Sequence, residues 1–393
     1  MDIRQRIEDC KEELVKLRRD FHRFPELGFE EWETQKRIIN YLSNLGIETR
    51  EIAGTGVVAT IKGKKPGKTV LLRSDMDALP VNEETGLSFA STENGKMHAC
   101  GHDGHMAMLL VAAKILHELR GEFQGTIKCV FQPNEEDAGA FKLIEEGVMD
   151  SPKVDYCFGI HLWSQIPSGT IDIVEGPQMA SSRYFYLTVK GKGGHAGFAH
   201  ASVDPIIAAT NIVQSLQSIQ TREIPALSPV VIMFTAFNAG SNTTIIPEKT
   251  ELKGSIRALH EGDEDILRRF ERIVANICKG YRVDYELTFK IGNRLLKNDP
   301  TVTRIVRETA TEILGDETKV TSNIRTMAGE DFSEYLRYAP GAFAFVGTGN
   351  RESGSDYPHH HPRFNIDEGS LPLGVELHIR TALKLLACEP LFV

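Results

Sequence analysis

Within the nine residues Met97–His105 stand a thiol, an aspartate and three imidazoles: His98, Cys100, His102, Asp103 and His105. Gly101 and Gly104 let the backbone bend between them. Soft and borderline donors at such density are the ligand set of a divalent metal. Two further groups suit the same chemistry. Gln132-Pro133-Asn134-Glu135-Glu136 places paired carboxylates at the end of an apolar run, and Tyr357-Pro358-His359-His360-His361 places three imidazoles near the C-terminus. Pro358 and Pro362 bracket the triple histidine and argue for an ordered turn. A divalent ion held by thiolate, imidazole and carboxylate lowers the pKa of a water it binds toward neutrality. A carboxylate that does not coordinate must take that water's proton and later give it to the leaving amine. Glu135 and Glu136 can divide these tasks, because neighbours at an irregular strand end point in different directions. The chemistry is that of a metallohydrolase.

These residues must be carried to one place. The apolar spacing of Ile3, Ile7, Cys10, Leu14, Leu17 and Phe21 predicts an amphipathic helix ended near Pro25, and a second is predicted over Glu33–Leu45 with Gly46 as its stop. Val57–Lys62, Thr69–Leu72, Thr126–Phe131 and Val154–Gly159 read as strands, and Met106–Leu119 as a strongly apolar helix. Alternating strands and helices predict an α/β domain with a mixed, mostly parallel central sheet flanked by helices. Asp75 and Asp77 follow one strand, Glu135 and Glu136 a second, His161 a third, and open α/β sheets build sites beyond the carboxyl ends of strands. From about Ser182 the pattern becomes strand, helix, strand, strand, helix, strand. The strands are Tyr184–Lys190, Val230–Ala236, Thr250–Arg257 and Asp284–Ile291, the helices Asp204–Gln220 and Asp263–Lys279. That order predicts an α+β sandwich. The α/β character returns after Asn298-Asp299-Pro300. The expected division is a discontinuous catalytic domain, residues 1–181 and 293–393, with an inserted domain, residues 182–292.

Composition narrows the class. A chain of 393 residues favours two domains. Net charge of −9 without a basic cluster argues against nucleic acid and anionic membranes. No apolar run approaches a transmembrane length, and Met1-Asp2-Ile3-Arg4 is polar rather than a signal peptide. The six cysteines have no disulfide-scaffold spacing; apart from Cys100 they read as structural thiols of a reducing cytoplasm. Glu30-Glu31 and Glu145-Glu146 read as solvated pairs, and His22, His117, His200 and His260 lack any catalytic context.

The residues His98–His105, Gln132–Glu136, Gly159-Ile160-His161, Gly329-Glu330-Asp331-Phe332, Arg73–Pro80 and Gly191–His195, in this order along nearly the whole chain, resemble the amidohydrolase branch of the M20 metallopeptidase family. That branch contains N-acyl-amino-acid amidohydrolases, hippurate hydrolases, indole-acetyl-amino-acid hydrolases and some carboxypeptidases. The resemblance implies a zinc-peptidase-like catalytic domain and a ferredoxin-like inserted domain that serves as lid and dimerisation surface. It implies two divalent ions, zinc or manganese in first place with cobalt or nickel permitted, held by Cys100, His102, Glu136, His161 and His360. His360 is chosen because the family's ligand lies four residues before an aromatic, here Phe364. Glu135 is implied as general base, Asp75 as a residue orienting a ligand, and His195 as a donor to the oxyanion in a neighbouring subunit's site.

Two departures from the family pattern concern substrate. Asp137-Ala138-Gly139-Ala140 replaces a longer glycine run, and Thr244 stands where an asparagine usually helps to bind substrate. Asn242 and Arg257 are the remaining candidates for a substrate carboxylate, Arg257 because a guanidinium fork matches it. The expected reaction is hydrolysis of an N-acyl amino acid by a cytoplasmic homodimer or tetramer, with a carboxypeptidase on short or blocked peptides as the nearest alternative. A cysteine nucleophile at Cys100 would survive chelation, and a non-catalytic binding protein would show no turnover.

Overall fold

The computed structural model describes residues 2–388. By internal contacts the chain forms two compact units, one of residues 1–176, 297–324 and 331–393, the other of residues 177–296 and 325–330. The expected boundaries at 181 and 293 fall a few residues inside the second unit. The return of residues 325–330 to that unit was not foreseen. Backbone bonds explain it: Thr326 N–H donates to Gln178 O, Ala180 N–H to Ala328 O, and the Arg257 guanidinium to Met327 O.

The first unit is built on an eight-stranded sheet. Its centre is parallel: Thr126–Gln132, Thr69–Asp75, Tyr156–Pro167 and Gly341–Gly349 lie side by side in that order. An antiparallel hairpin, Glu48–Ile52 with Gly56–Lys62, closes one edge. The helix His102–Glu118 packs between sheet and outer helices, touching Thr69–Asp75 on one side and Lys11–Arg23 and Leu371–Ala387 on the other. Its middle is apolar on every face, as a central helix must be, and Met106 to Ala113 are fully buried. The single N-terminal helix expected from periodicity is two, Ile3–Asp9 and Lys11–Arg23, parted at Cys10.

The second unit has a four-stranded antiparallel sheet, with Val230–Ala239, Lys249–Ala258, Ser181–Lys190 and Asp284–Ile291 adjacent in that order. The helices Pro205–Ser218 and Asp263–Tyr281 contribute Ile212, Leu216, Phe270 and Val274 to a core that includes Phe185 and Leu252 from the sheet. Strand, helix and strand order are those of a ferredoxin-like sandwich.

Candidate metal centre

Four backbone features bring the expected ligands together. The helix carrying His102 begins at His102 itself, four residues earlier than its apolar run suggests, because Gly101 turns the chain at φ 92°. The strand Thr126–Gln132 ends at Pro133, and Asn134 turns left-handed at φ 55° before the single helical turn Glu135–Asp137. His161 lies inside the strand Tyr156–Pro167 rather than beyond its end. The neighbouring strand stops pairing at Arg73–Gly159, while pairing to Gly341–Gly349 continues through His161 and Phe345. His161 is therefore on a one-sided stretch of sheet, a feature no local spacing announces. His360, at φ 66°, is fixed by its N–H on Ala99 O at 2.8 Å.

The side chains converge. Candidate donor atoms of Cys100, His102 and His161 lie within 4.8 Å of one another, as do those of Cys100, Glu136 and His360, and those of His102, Glu135 and Glu136. Cys100, His102 and Glu136 each belong to two of these three groups, so the groups are continuous with one another. Cys100 Sγ is 3.5 Å from His161 Nε2, and His360 Nε2 is 3.3 Å from Glu136 Oε1. His161 turns Nδ1 to Leu162 O and His102 turns Nδ1 to Asp77 O, both at 2.8 Å. Each imidazole thus presents Nε2 to the cluster, and the buried His102 Nε2 has no hydrogen-bond partner. A second hydrogen bond that fixes the tautomer is how metal-binding histidines are held. The donor set and the orphaned nitrogen fit divalent ions. Burial disfavours charge on His102, yet the carboxylates of Asp75, Asp77 and Glu136 outweigh it and raise its pKa to about 10. Burial drives His161 the other way, well below the ordinary imidazole value.

His105, His359 and His361 have other partners. His105 donates from Nδ1 to Asp75 at 2.7 Å and accepts Leu162 N–H on Nε2 at 2.8 Å, so both nitrogens are spent. His359 packs at a tilt against Trp163 and bonds Leu162 O, and His361 stacks on Tyr357. Of the three terminal histidines, His360 alone appears in the donor clusters.

Beneath the site lies a buried charge network. Arg73 donates to Asp75 at 2.7 Å, to Asp331 at 2.9 Å and to Gln132 at 3.0 Å. Gln132 also donates to Asp331 and accepts from the Tyr335 hydroxyl. Burial is the largest influence on Asp75 and would raise its pKa, but His102, His105 and Arg73 together hold it well below the carboxylate range. Burial wins at Asp331, which rises to about 6 despite Arg73. Sequence reasoning assigned no role to Arg73, Asp77, Gln132 or Asp331. The usable signal was a guanidinium and a carboxylate within an otherwise apolar strand. His22 also gains a context: it is fully buried, with Nδ1 2.8 Å from Asp103, which pairs with the buried Arg18 at the same distance.

The other three expected residues lie in the second unit. His195 is exposed, in a short strand paired with Ile245, and its Nδ1 accepts Gly197 N–H at 3.0 Å. Asn242 is exposed and uses Oδ1 on the N–H and hydroxyl of Thr244, both at 2.9 Å. Arg257 is half-buried with one N–H on Met327 O.

The model of peptidase family M20/M25/M40 matches residues 71–384. The chain belongs to that family. It is 41% identical over 390 residues to thermostable carboxypeptidase 1 of Saccharolobus solfataricus, covering 98% of this chain and 97% of the relative. It is 38% identical to an N-acetylcysteine deacetylase of Bacillus subtilis, covering 95% and 97%. The crystal structure of the Bacillus subtilis YXEP protein, described as a dinuclear metal-binding peptidase, superposes with a TM-score of 0.85 at 34% identity, covering 97% and 99%. This family member is a metal-dependent hydrolase of amide bonds, and its clusters of Cys, His and carboxylate donors suit a two-metal site. Among the described residues, no helix is long and apolar enough to cross a membrane.

Proposed function

We propose that this enzyme hydrolyses N-acyl amino acids to a carboxylic acid and a free amino acid, with Glu135 as the proton shuttle. The observation that carries the reading is the division of the adjacent carboxylates. Glu136 shares donor groups with Cys100 and His360 and with His102, while the buried Glu135 shares one with His102 and none with Cys100 or His360. Cys100, His102, Glu136, His161 and His360 would hold two divalent ions, zinc or manganese first and cobalt or nickel as alternatives. When bound, those ions supply Lewis acidity to a water and to the scissile carbonyl. Glu135 takes the proton of the attacking water and returns it to the amine nitrogen as the C–N bond breaks. Asp75 keeps His105 and Arg73 in place behind the ligands.

His195 supplies a hydrogen bond to the developing oxyanion, in the site of the other subunit of a homodimer. A tetramer is the larger assembly compatible with that role. The substrate carboxylate falls to Arg257, which keeps most of its five N–H donors, and to the free amide group of Asn242. The deacetylase relative supports an acylated amino acid as substrate. The carboxypeptidase relative supports the second reading, the same reaction on a short or blocked peptide. Six cysteines outside any disulfide suit a reducing cytoplasm.

A panel of N-acetyl amino acids, N-benzoyl amino acids and blocked dipeptides, assayed with each metal, separates the two substrate classes. Glu135→Gln keeps the shape and removes the base, so turnover should fall by about 10²–10⁴-fold with metal content unchanged. A rate within a few-fold of wild type would remove Glu135 from the mechanism.

A further inference from the structure

The turn that carries Glu135 and Glu136 is held in an unusual conformation. Asn134 before it and Ala138 after it are both left-handed, at φ 55° and 61°. Two more left-handed residues other than glycine, Phe29 at 60° and Ala53 at 52°, lie on the segments that carry Glu31 and Thr55. Such backbone persists only where the surroundings over-determine it.

Glu31 lies where these three segments meet. Its side chain is fully buried. Oε1 accepts the Asn134 N–H at 3.0 Å, and Oε2 accepts the Thr55 hydroxyl at 2.5 Å. The loop bearing Thr55 is anchored in turn. Ala53 N–H donates to Glu146 at 2.8 Å, and the Gln35 amide donates to Gly54 O at 2.9 Å and Gly56 O at 3.2 Å. Gly28, three residues before Glu31, makes room for the Asn134 side chain; a Cβ there would sit 1.9 Å from Asn134 Oδ1. On its far side the turn closes on itself through Gly139 N–H to Asn134 O at 2.7 Å.

We propose that Glu31 is a positioning residue for catalysis: by gripping the Asn134 N–H it sets the left-handed turn that aims Glu135 at the reacting atoms. The proposal rests on the reading of Glu135 as proton shuttle. A purely apolar packing residue would have no reason to be a carboxylate at this point, because a buried carboxyl is tolerated only with its oxygens satisfied. One oxygen is satisfied by the backbone of the catalytic turn itself. Glutamine can serve the same two partners, because its amide oxygen accepts from Asn134 and its amide nitrogen can donate to the Thr55 hydroxyl. Alanine can serve neither.

The test uses the full-length, metal-loaded enzyme and the panel substrate that wild type turns over fastest. Glu31→Ala should lower kcat by roughly 10–100-fold, the loss expected of an approximately 1 Å misplacement, while KM changes little. Glu31→Gln should recover kcat to within about threefold, because both hydrogen bonds are restored. In the Glu135→Gln background, Glu31→Ala should lower the residual rate less than about threefold, because residues acting as one unit are not additive. Gly28→Ala, which leaves Glu31 intact and pushes on Asn134, should also lower kcat; it carries the test if Glu31→Ala fails to fold. Wild-type kcat in Glu31→Ala, or full additivity with Glu135→Gln, overturns the positioning role while leaving Glu135 in place. Near-wild-type turnover in Glu135→Gln alone overturns the shuttle reading, and this proposal with it.

Discussion

Replacing Glu31 by glutamine makes a prediction about stability that needs no substrate. Burial is the main influence on this carboxyl and raises its pKa from 4.5 to about 7, against the hydrogen bonds from Thr55 and Asn134. Below pH 4.5 the side chain is protonated in folded and unfolded chains alike, and no penalty exists. Between pH 4.5 and about 7 the folded enzyme keeps a proton that the unfolded chain releases, so wild type loses stability as pH rises through that window. At roughly 1.4 kcal/mol for each tenfold change in proton affinity, the loss approaches about 3 kcal/mol. Glutamine does not titrate, so Glu31→Gln should escape it. Circular dichroism melts of the metal-saturated proteins, from pH 5 to pH 8 at one scan rate, compare the two. The variant's midpoint should gain on wild type by on the order of 5 °C across the window and then run parallel to it. Curves that stay parallel from pH 5 to pH 8 would show that Glu31 is not buried as a strained acid.

Three further outcomes are expected. His360→Ala should lower metal content measured by elemental analysis, because it opens the ligand set, whereas His361→Ala should stay loaded; the reverse result would move the ligand to His361. Arg18→Met should cost about 3–5 kcal/mol in unfolding free energy, since it leaves the buried Asp103 without its guanidinium; a loss under about 1 kcal/mol would mean the pair contributes no more than a surface one. Inactive His195→Ala and inactive Glu135→Gln, dissociated and reassociated together, should regain activity, because one site of each mixed dimer holds both intact residues; mixed dimers that form and stay inactive would remove His195 from the partner's site.

The cluster from His98 to His105 and the Glu135-Glu136 pair were legible because their chemistry is local: several donors fall within one turn of chain. The strands were legible for the same reason, their apolar runs being continuous. What could not be read was set by distance in the chain. Arg73 meets Asp331 across 258 positions, and nothing near either residue announces the other. His22 lacked any local context yet is buried against Asp103. Glu31 had been expected on a solvated face beside Glu30; only the arrival of Asn134, a hundred residues on, makes it a buried acceptor. His161 was expected just past a strand end, but its strand runs on because Gly341–Gly349 extends the pairing.

The strand Gly341–Gly349 also has a bearing on how the chain is made. It lies in the middle of the first unit's sheet, beside the strand that holds His161, although it comes from the last sixth of the sequence. A ribosome-bound chain that has emerged only as far as residue 330 has completed the second unit but still shows Tyr156–Pro167 as a bare apolar edge. Such an edge is a template for pairing with other chains, and at roughly 5–20 residues per second it remains uncovered for much of translation. The histidine-bearing strand therefore stays unpaired on that side until the last sixth of the chain has emerged.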